Sequence, residues 1–175
     1  MLSQGFPPIA RRDARVLVLG SLPGRESLRR RQYYAQPRNA FWPIMGALCG
    51  AGPQLAYRAR ARRLAASGIA LWDVCRAAAR AGSLDASIVA RSVVVNDFGA
   101  FLARHPGIGL VCFNGRTAAA LYRRHVLPAL APRLRALATL ELPSTSPAHA
   151  ALPPAAKLER WRALADALGR RPRHG

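Results

Sequence analysis

Val16-Leu17-Val18-Leu19-Gly20-Ser21-Leu22-Pro23-Gly24 is the stretch whose reading decides the fold. Four aliphatic residues with no polar interruption predict a strand buried on both faces, and the Gly-Ser that closes them predicts a turn at its carboxyl end. The same grammar recurs three times. Ile69–Trp72 is closed by Asp73, Ile108–Phe113 by Asn114-Gly115, and Ala136–Leu142 by Pro143. Helical spacing fills the intervals: Glu26–Arg31, Phe41–Leu48 with Pro43 in its first turn, Pro53–Ser67 stopped by Gly68, Asp97–Arg104 behind Asn96 as N-cap, Thr117–His125 and Pro153–Leu168. Tyr33–Asn39 reads as an ordered loop. Residues 76–95 have no clear period beyond a turn at Gly82–Asp85. Four strands alternating with helices predict an α/β fold, a three-layer sandwich with a central four-stranded parallel β-sheet flanked by helices. We expect a single domain over residues 1–175, with a core from about 14 to 168 and short basic flexible ends, RRPRHG among them.

The 175 residues are 51% hydrophobic, enough for a real core in one domain. Lys+Arg total 27 against 8 for Asp+Glu, a formal charge of +19. Coding bias explains part of the arginine excess, since Lys157 is the only lysine, but it does not explain the scarcity of acids. A phosphate backbone is the natural partner of such a charge, because each neutralised phosphate releases a condensed counterion. The three cysteines, Cys49, Cys75 and Cys112, have no CxxC spacing and are one short of a four-thiolate cluster. They are expected as buried small hydrophobes in a reducing compartment, and no metal or cofactor is predicted. The N-terminus has no signal-peptide pattern and no stretch is long enough to span a membrane. The expected setting is the cytoplasm, at the nucleoid.

In folds of this class ligands sit outside the carboxyl ends of the strands. Those ends are Gly20-Ser21, Asp73, Asn114 and Ser144, each polar or glycine-rich where a buried run has finished. Gly20, Ser21 and Leu22 let a backbone approach a base closely, and Pro23 and Gly24 precede helix N–H groups suited to phosphate. Tyr33, Tyr34, Arg38, Asn39, Phe41 and Trp42 lie within ten residues. Phe41 and Trp42 read as core. Tyr33 and Tyr34 are in a loop before Pro37 and are candidates to stack a base, with Arg38 on an adjacent phosphate. Asn114 faces a base or simply closes an Asn-Gly turn. Asp73 and Asp85 are the acids nearest the strand ends, suited to activating water or to anchoring the Gly82–Asp85 turn. No GxxxxGK[ST] motif is present, which counts against a nucleotide hydrolase.

GSLPG (20–24), SLRRRQYYAQPRNAFWPIM (27–45), GIALWDVC (68–75), RAGSLDASI (80–88), NDFGAFL (96–102), FNGRTAAALY (113–122) and LPSTSPAHA (142–150) occur in this order. Together they resemble the hypoxanthine-DNA glycosylase group of the uracil-DNA glycosylase superfamily, over roughly residues 16 to 165. The YYxxPxNxFW block is the specific part. The resemblance implies a monofunctional glycosylase that flips deaminated bases, hypoxanthine or uracil, out of double-stranded DNA, with single-stranded DNA left open, and that acts as a monomer. Mismatch-specific relatives carry an asparagine that positions water where this chain has Leu22, and an alkyl group cannot do that. The resemblance instead puts the water on Asn39, a residue equally suited to capping the helix behind it. Where the group often reads SPAN, this chain has Ser146-Pro147-Ala148-His149. His149 is open to three uses: stabilising the departing base, contacting the backbone, or filling the hole the base leaves. Ser144 and Ser146 are expected on the DNA backbone. A lyase needs an amine nucleophile; Lys157, in the last helix, is expected away from the strand ends, and the N-terminal amine is the other candidate.

Overall fold

Every residue of Val16–Gly20 is buried, because this strand is an interior member of a parallel sheet with helices on both sides. A computed structural model describes residues 2–169. Its strands are β1 (Leu2–Gln4), β2 (Val16–Gly20), β3 (Ile69–Asp73), β4 (Cys75–Ala79), β5 (Val94–Val95), β6 (Leu110–Asn114) and β7 (Ala138–Leu142). Its helices are α1 (Arg25–Arg30), α2 (Phe41–Cys49), α3 (Tyr57–Ala66), α4 (Phe98–Arg104), α5 (Arg116–Leu121), α6 (Pro132–Arg135) and α7 (Pro154–Gly169). The main sheet has the order β3-β2-β6-β7, all parallel. Alternate side chains of its strands feed two cores. Leu17, Leu19, Trp72, Val111 and Phe113 pack on Phe98, Phe101 and Tyr122 on one face. Val16, Val18, Leu71 and Cys112 pack on Phe41, Met45, Leu64 and Trp161 on the other. The expected three-layer α/β sandwich is the architecture found.

Register brings the strand ends level. Gly20 pairs with Asp73 and Asn114 with Leu142. The chain leaving β3 then folds over the end of β2, where Val74 N–H donates to the Gly20 carbonyl (2.8 Å) and Cys75 N–H to that of Ser21 (3.0 Å).

Several boundaries differ from expectation for physical reasons. The stretch 76–95 holds β4 and β5, which join β1 in a small antiparallel sheet. The helix expected from Pro53 starts only at Tyr57, since Leu55 N–H closes a turn onto Gly52. Asp97, not Asn96, caps α4 by accepting from Ala100 N–H; Asn96 instead donates to the Asp73 carbonyl at 2.8 Å. Past Leu121 the predicted helix widens into a π-turn over Tyr122–Val126. The fourth strand starts at Ala138, because α6 takes up Pro132–Arg135 before it. Cys75 and Cys112 are buried and Cys49 is half-buried. The tail 170–175, with His174, lies outside the described residues.

Candidate functional site

A cleft of about 1180 Å³ opens at the carboxyl ends of β2, β3, β6 and β7. It brings together every candidate from the sequence: the 20–24 turn, Tyr33 and Tyr34, Arg38 and Asn39, Asp73, Asn114, and the loop from Ser144 to His149. Four exposed arginines line it, Arg25, Arg38, Arg116 and Arg160. Among the described residues none of the four is in an ion pair, so their charge is available to a polyanion.

The 20–24 turn is held from behind by Arg80, which no motif or spacing singles out. Its side chain is 1% exposed. One guanidinium nitrogen donates to the Leu22 carbonyl at 3.2 Å and another to that of Pro23. Asp85 lies 3.6 Å away and accepts from the Ser21 hydroxyl at 2.6 Å. Leu22 itself turns inward onto Cys75 and Ala78, so this turn presents its backbone to the cleft more than the leucine side chain. Ser83 accepts from the Arg25 N–H and ties the Gly82–Asp85 turn to the start of α1.

Asn114 ties down the opposite loop. Its Oδ1 accepts from Thr145 N–H and its Nδ2 donates to Thr145 Oγ1, both at 2.9 Å. The buried Thr145, unremarked in the sequence, is thus the clasp between β6 and the β7 loop. Ser144 accepts from Ser146 N–H, Ser146 from Ala148 N–H, and the Ser146 carbonyl from His149 N–H. Gly115, at φ 92°, lets Ser144 lie against the chain, as a Cβ there would stand 2.9 Å from that of Ser144. Lys157 is not remote, as expected, but 95% buried beneath this loop, donating to the Ser146 carbonyl at 3.1 Å. Its ammonium is anchored outside the cleft lining.

Adjacent tyrosines part company. Tyr33 belongs to the core, a correction to its expected role: it is 4% exposed, lies edge-on to Phe6, and donates its hydroxyl to the Pro7 carbonyl at 2.9 Å. Its ring is not available to stack a base. Tyr34 takes φ 52° and lays one face on Phe41, with centroids 4.1 Å apart and planes at 25°. Asn39 caps α2 and lines the cleft at once. Its Oδ1 accepts from Phe41 N–H at 3.0 Å, and among the described residues its Nδ2 has no partner.

Asp73 is 4% exposed at the end of β3, and among the described residues its Oδ2 has no hydrogen-bond partner. Burial, with the Asp85 charge second, pushes its carboxyl up to about 7, against the weaker pull of Arg80. Burial likewise raises the Tyr34 phenol. Among the described residues no three His, Cys, Asp or Glu side chains are grouped to hold a metal ion, and no helix is long and apolar enough to cross a membrane.

A parallel-sheet fold with a basic, loop-built cleft across four strand ends defines an α/β protein that takes a phosphate-bearing ligand there. The family model of the uracil DNA glycosylase superfamily matches residues 7–165, and the chain belongs to that superfamily. It is 40% identical over 119 residues to a protein of Methanosarcina acetivorans named hypoxanthine DNA glycosylase, covering 67% of this chain and 74% of the relative. A protein of the same name from Methanosarcina barkeri is 39% identical over 117 residues, covering 66% and 73%. A solution NMR structure from Methanosarcina acetivorans, described as a candidate uracil DNA glycosylase, matches with a TM-score of 0.79 at 34% identity, over 97% of this chain and 100% of that one.

Proposed function

We propose that this DNA glycosylase excises deaminated bases, hypoxanthine or uracil or both, from double-stranded DNA by base flipping and hydrolysis, as a single-domain monomer without lyase activity. The observation that carries the reading is Asn39, fixed at the rim of the cleft by its bond to Phe41 N–H with its Nδ2 unspent. A side chain held by one bond keeps the second lone pair of Oδ1 and both amide hydrogens for an attacking water. That water bonds to the sugar C1′ as the C1′–N pair leaves with the base, and its proton neutralises the base anion. His149, on the opposite wall, is suited to stabilise that anion. Neighbouring phosphates stabilise the cationic sugar, which the cleft arginines hold in place without quenching, and Tyr34 offers the extruded base its remaining face. The expected backbone contacts of Pro23, Gly24, Ser144 and Ser146 follow from their place on the two cleft walls. Lys157, tied to Ser146, supplies no amine nucleophile, in keeping with hydrolysis alone. The cytoplasm, at the nucleoid, is the setting that fits this activity.

The test is alkali-revealed cleavage of duplexes with a single hypoxanthine or a single uracil under single-turnover conditions. Cleavage of the hypoxanthine duplex is expected. Cleavage of uracil alone would make the chain uracil-specific, and tight binding with neither cut would make it a DNA-binding module of this fold.

A further inference from the structure

No Asp or Glu occurs between Glu26 and Asp73, and α3 lies within that span with Arg58, Arg60, Arg62 and Arg63. Arginines of two other helices have acids beside them: Arg29 and Arg30 of α1 pair with Glu26, and Arg162 of α7 with Glu159. Among the described residues no arginine of α3 is in an ion pair. Helical spacing sorts the four by face. Leu64 and Ala65 are buried, and Arg60 leans onto the aromatic side chains, its guanidinium 5.1 Å from the Trp42 ring centre and 5.6 Å from that of Tyr57. Arg58, Arg62 and Arg63 fall on the outer stripe with Ala59 and Ala66, and all three are exposed. Leu55, Ala59, Arg62, Arg63 and Ala66 line a trough of about 320 Å³ there. The alanines keep its floor low, so a row of phosphates can approach the helix while the arginines reach it from the sides.

The trough shares no residue with the cleft. α3 packs along β3. At its start the Tyr57 hydroxyl accepts from Tyr33 N–H beside the cleft. Just past its end the Gly68 carbonyl accepts from Arg15 and Val16 N–H, where β2 begins. The helix thus runs from the carboxyl ends of the strands to their amino ends. Its outer stripe looks sideways from the flank of the sandwich, whereas the cleft opens at the strand ends. Duplex DNA is stiff over about 150 base pairs, so a segment seated across the cleft does not also fold down the flank. We propose that the outer face of α3 is a second binding surface for duplex DNA, holding the phosphate backbone of a separate segment while the cleft holds the first. Each phosphate engaged there releases a counterion, as at the cleft. A protein with two such surfaces passes from one segment to another through a bridged state, without first coming free.

The experiment compares wild type with the combined variant Arg58→Gln, Arg62→Gln, Arg63→Gln. A control, Arg12→Gln, Arg76→Gln, Arg91→Gln, removes the same charge from exposed arginines elsewhere. Glutamine matches arginine in helix propensity, so the α3 variant is expected to fold. The probe is a short undamaged duplex in excess at low salt, with the complexes sized by sedimentation velocity. Wild type and control are expected to take up two duplexes and the α3 variant one. Release of a labelled duplex should quicken with the concentration of unlabelled duplex for wild type and control, and not for the α3 variant. Single-turnover excision from a short hypoxanthine duplex should stay within about threefold of wild type in the α3 variant, since the phosphate contacts removed lie outside the cleft. One duplex on wild type, two on the α3 variant, or the same loss in both variants would overturn the proposal. So would an excision rate lower by about tenfold or more in the α3 variant, which would put α3 on the duplex that occupies the cleft. Both binding readings use undamaged DNA and decide the proposal whichever base the cleft excises.

Discussion

Arg80→Met removes the support behind the 20–24 turn while keeping an apolar stem of similar length. The burden it leaves can be worked from the contacts. Two carbonyls, those of Leu22 and Pro23, lose their charged donor. Asp85 keeps its bond from Ser21 but loses the cation 3.6 Å away. Burial already lowers the Arg80 pKa and raises that of Asp85, so desolvation outweighs their mutual attraction and the pair is no net stabiliser. Its value appears only on truncation. Breaking a buried pair costs about 3–5 kcal/mol, and the side chain of Asp85 is 37% exposed, which argues for the lower end. We expect a loss of about 3 kcal/mol by urea unfolding, and a slower single-turnover rate because Gly20 and Ser21 lose their register. Adding Asp85→Asn should restore about half of the stability, since the stranded charge goes while the carbonyls stay unpaired. A loss under about 1 kcal/mol for Arg80→Met, or a double variant no better than the single, would refute this account of the turn.

Affinity for undamaged duplex should fall steeply with salt, given the charge of +19 and four cleft arginines that form no ion pair among the described residues; a flat titration from 50 to about 200 mM would contradict it. The cleavage rate should survive EDTA, since no described cluster of side chains is built to hold a metal ion; loss restored by one specific metal would overturn that expectation. The raised Asp73 pKa means the folded state binds a proton more tightly than the unfolded one, so its contribution to stability is present below about pH 4 and lost as pH rises to about 7. Asp73→Asn should therefore gain on wild type across that window, by up to about 4 kcal/mol at pH 8 in urea titrations; equal stability at pH 5 and pH 8 relative to wild type would show that the carboxyl is not perturbed.

The central sheet was legible because strands buried on both faces leave continuous aliphatic runs, as at Val16–Leu19 and Ile69–Trp72. The small sheet was not. Cys75-Arg-Ala-Ala-Ala carries no strand period, and its partner, Leu2–Gln4, lies more than seventy residues away. The strand-end loops could be read from their punctuation, and Asn39 from the motif that contains it. What could not be read was tertiary. Tyr33 and Tyr34 are identical neighbours, and only the positive φ at Tyr34 sends one ring to the core and leaves the other at the cleft. Arg80 is one arginine among 26, and its burial follows from two carbonyls brought to it by β2 and β4. Asp73 reads as an acid at a strand end, but its burial is not legible there. Its unsatisfied carboxyl arises from Gly20, Tyr34 and Asp85 meeting there from three separate segments. Asn114 lines the cleft as expected, but its clasp on Thr145, made with one amide hydrogen and one lone pair, is a tertiary contact that no local pattern announces.

The most direct measurement is single-turnover excision of hypoxanthine by Asn39→Ala beside wild type, with duplex affinity recorded on the same preparations. The substitution removes the cap on Phe41 N–H and the unspent Nδ2, but no cleft charge. The account predicts unchanged duplex binding, a folded protein and a rate lower by about 10²–10³, as for the loss of a preorganised hydrogen-bonding group. A folded Asn39→Ala that excises hypoxanthine within about threefold of wild type, a small change on that scale, would contradict it and place the water elsewhere.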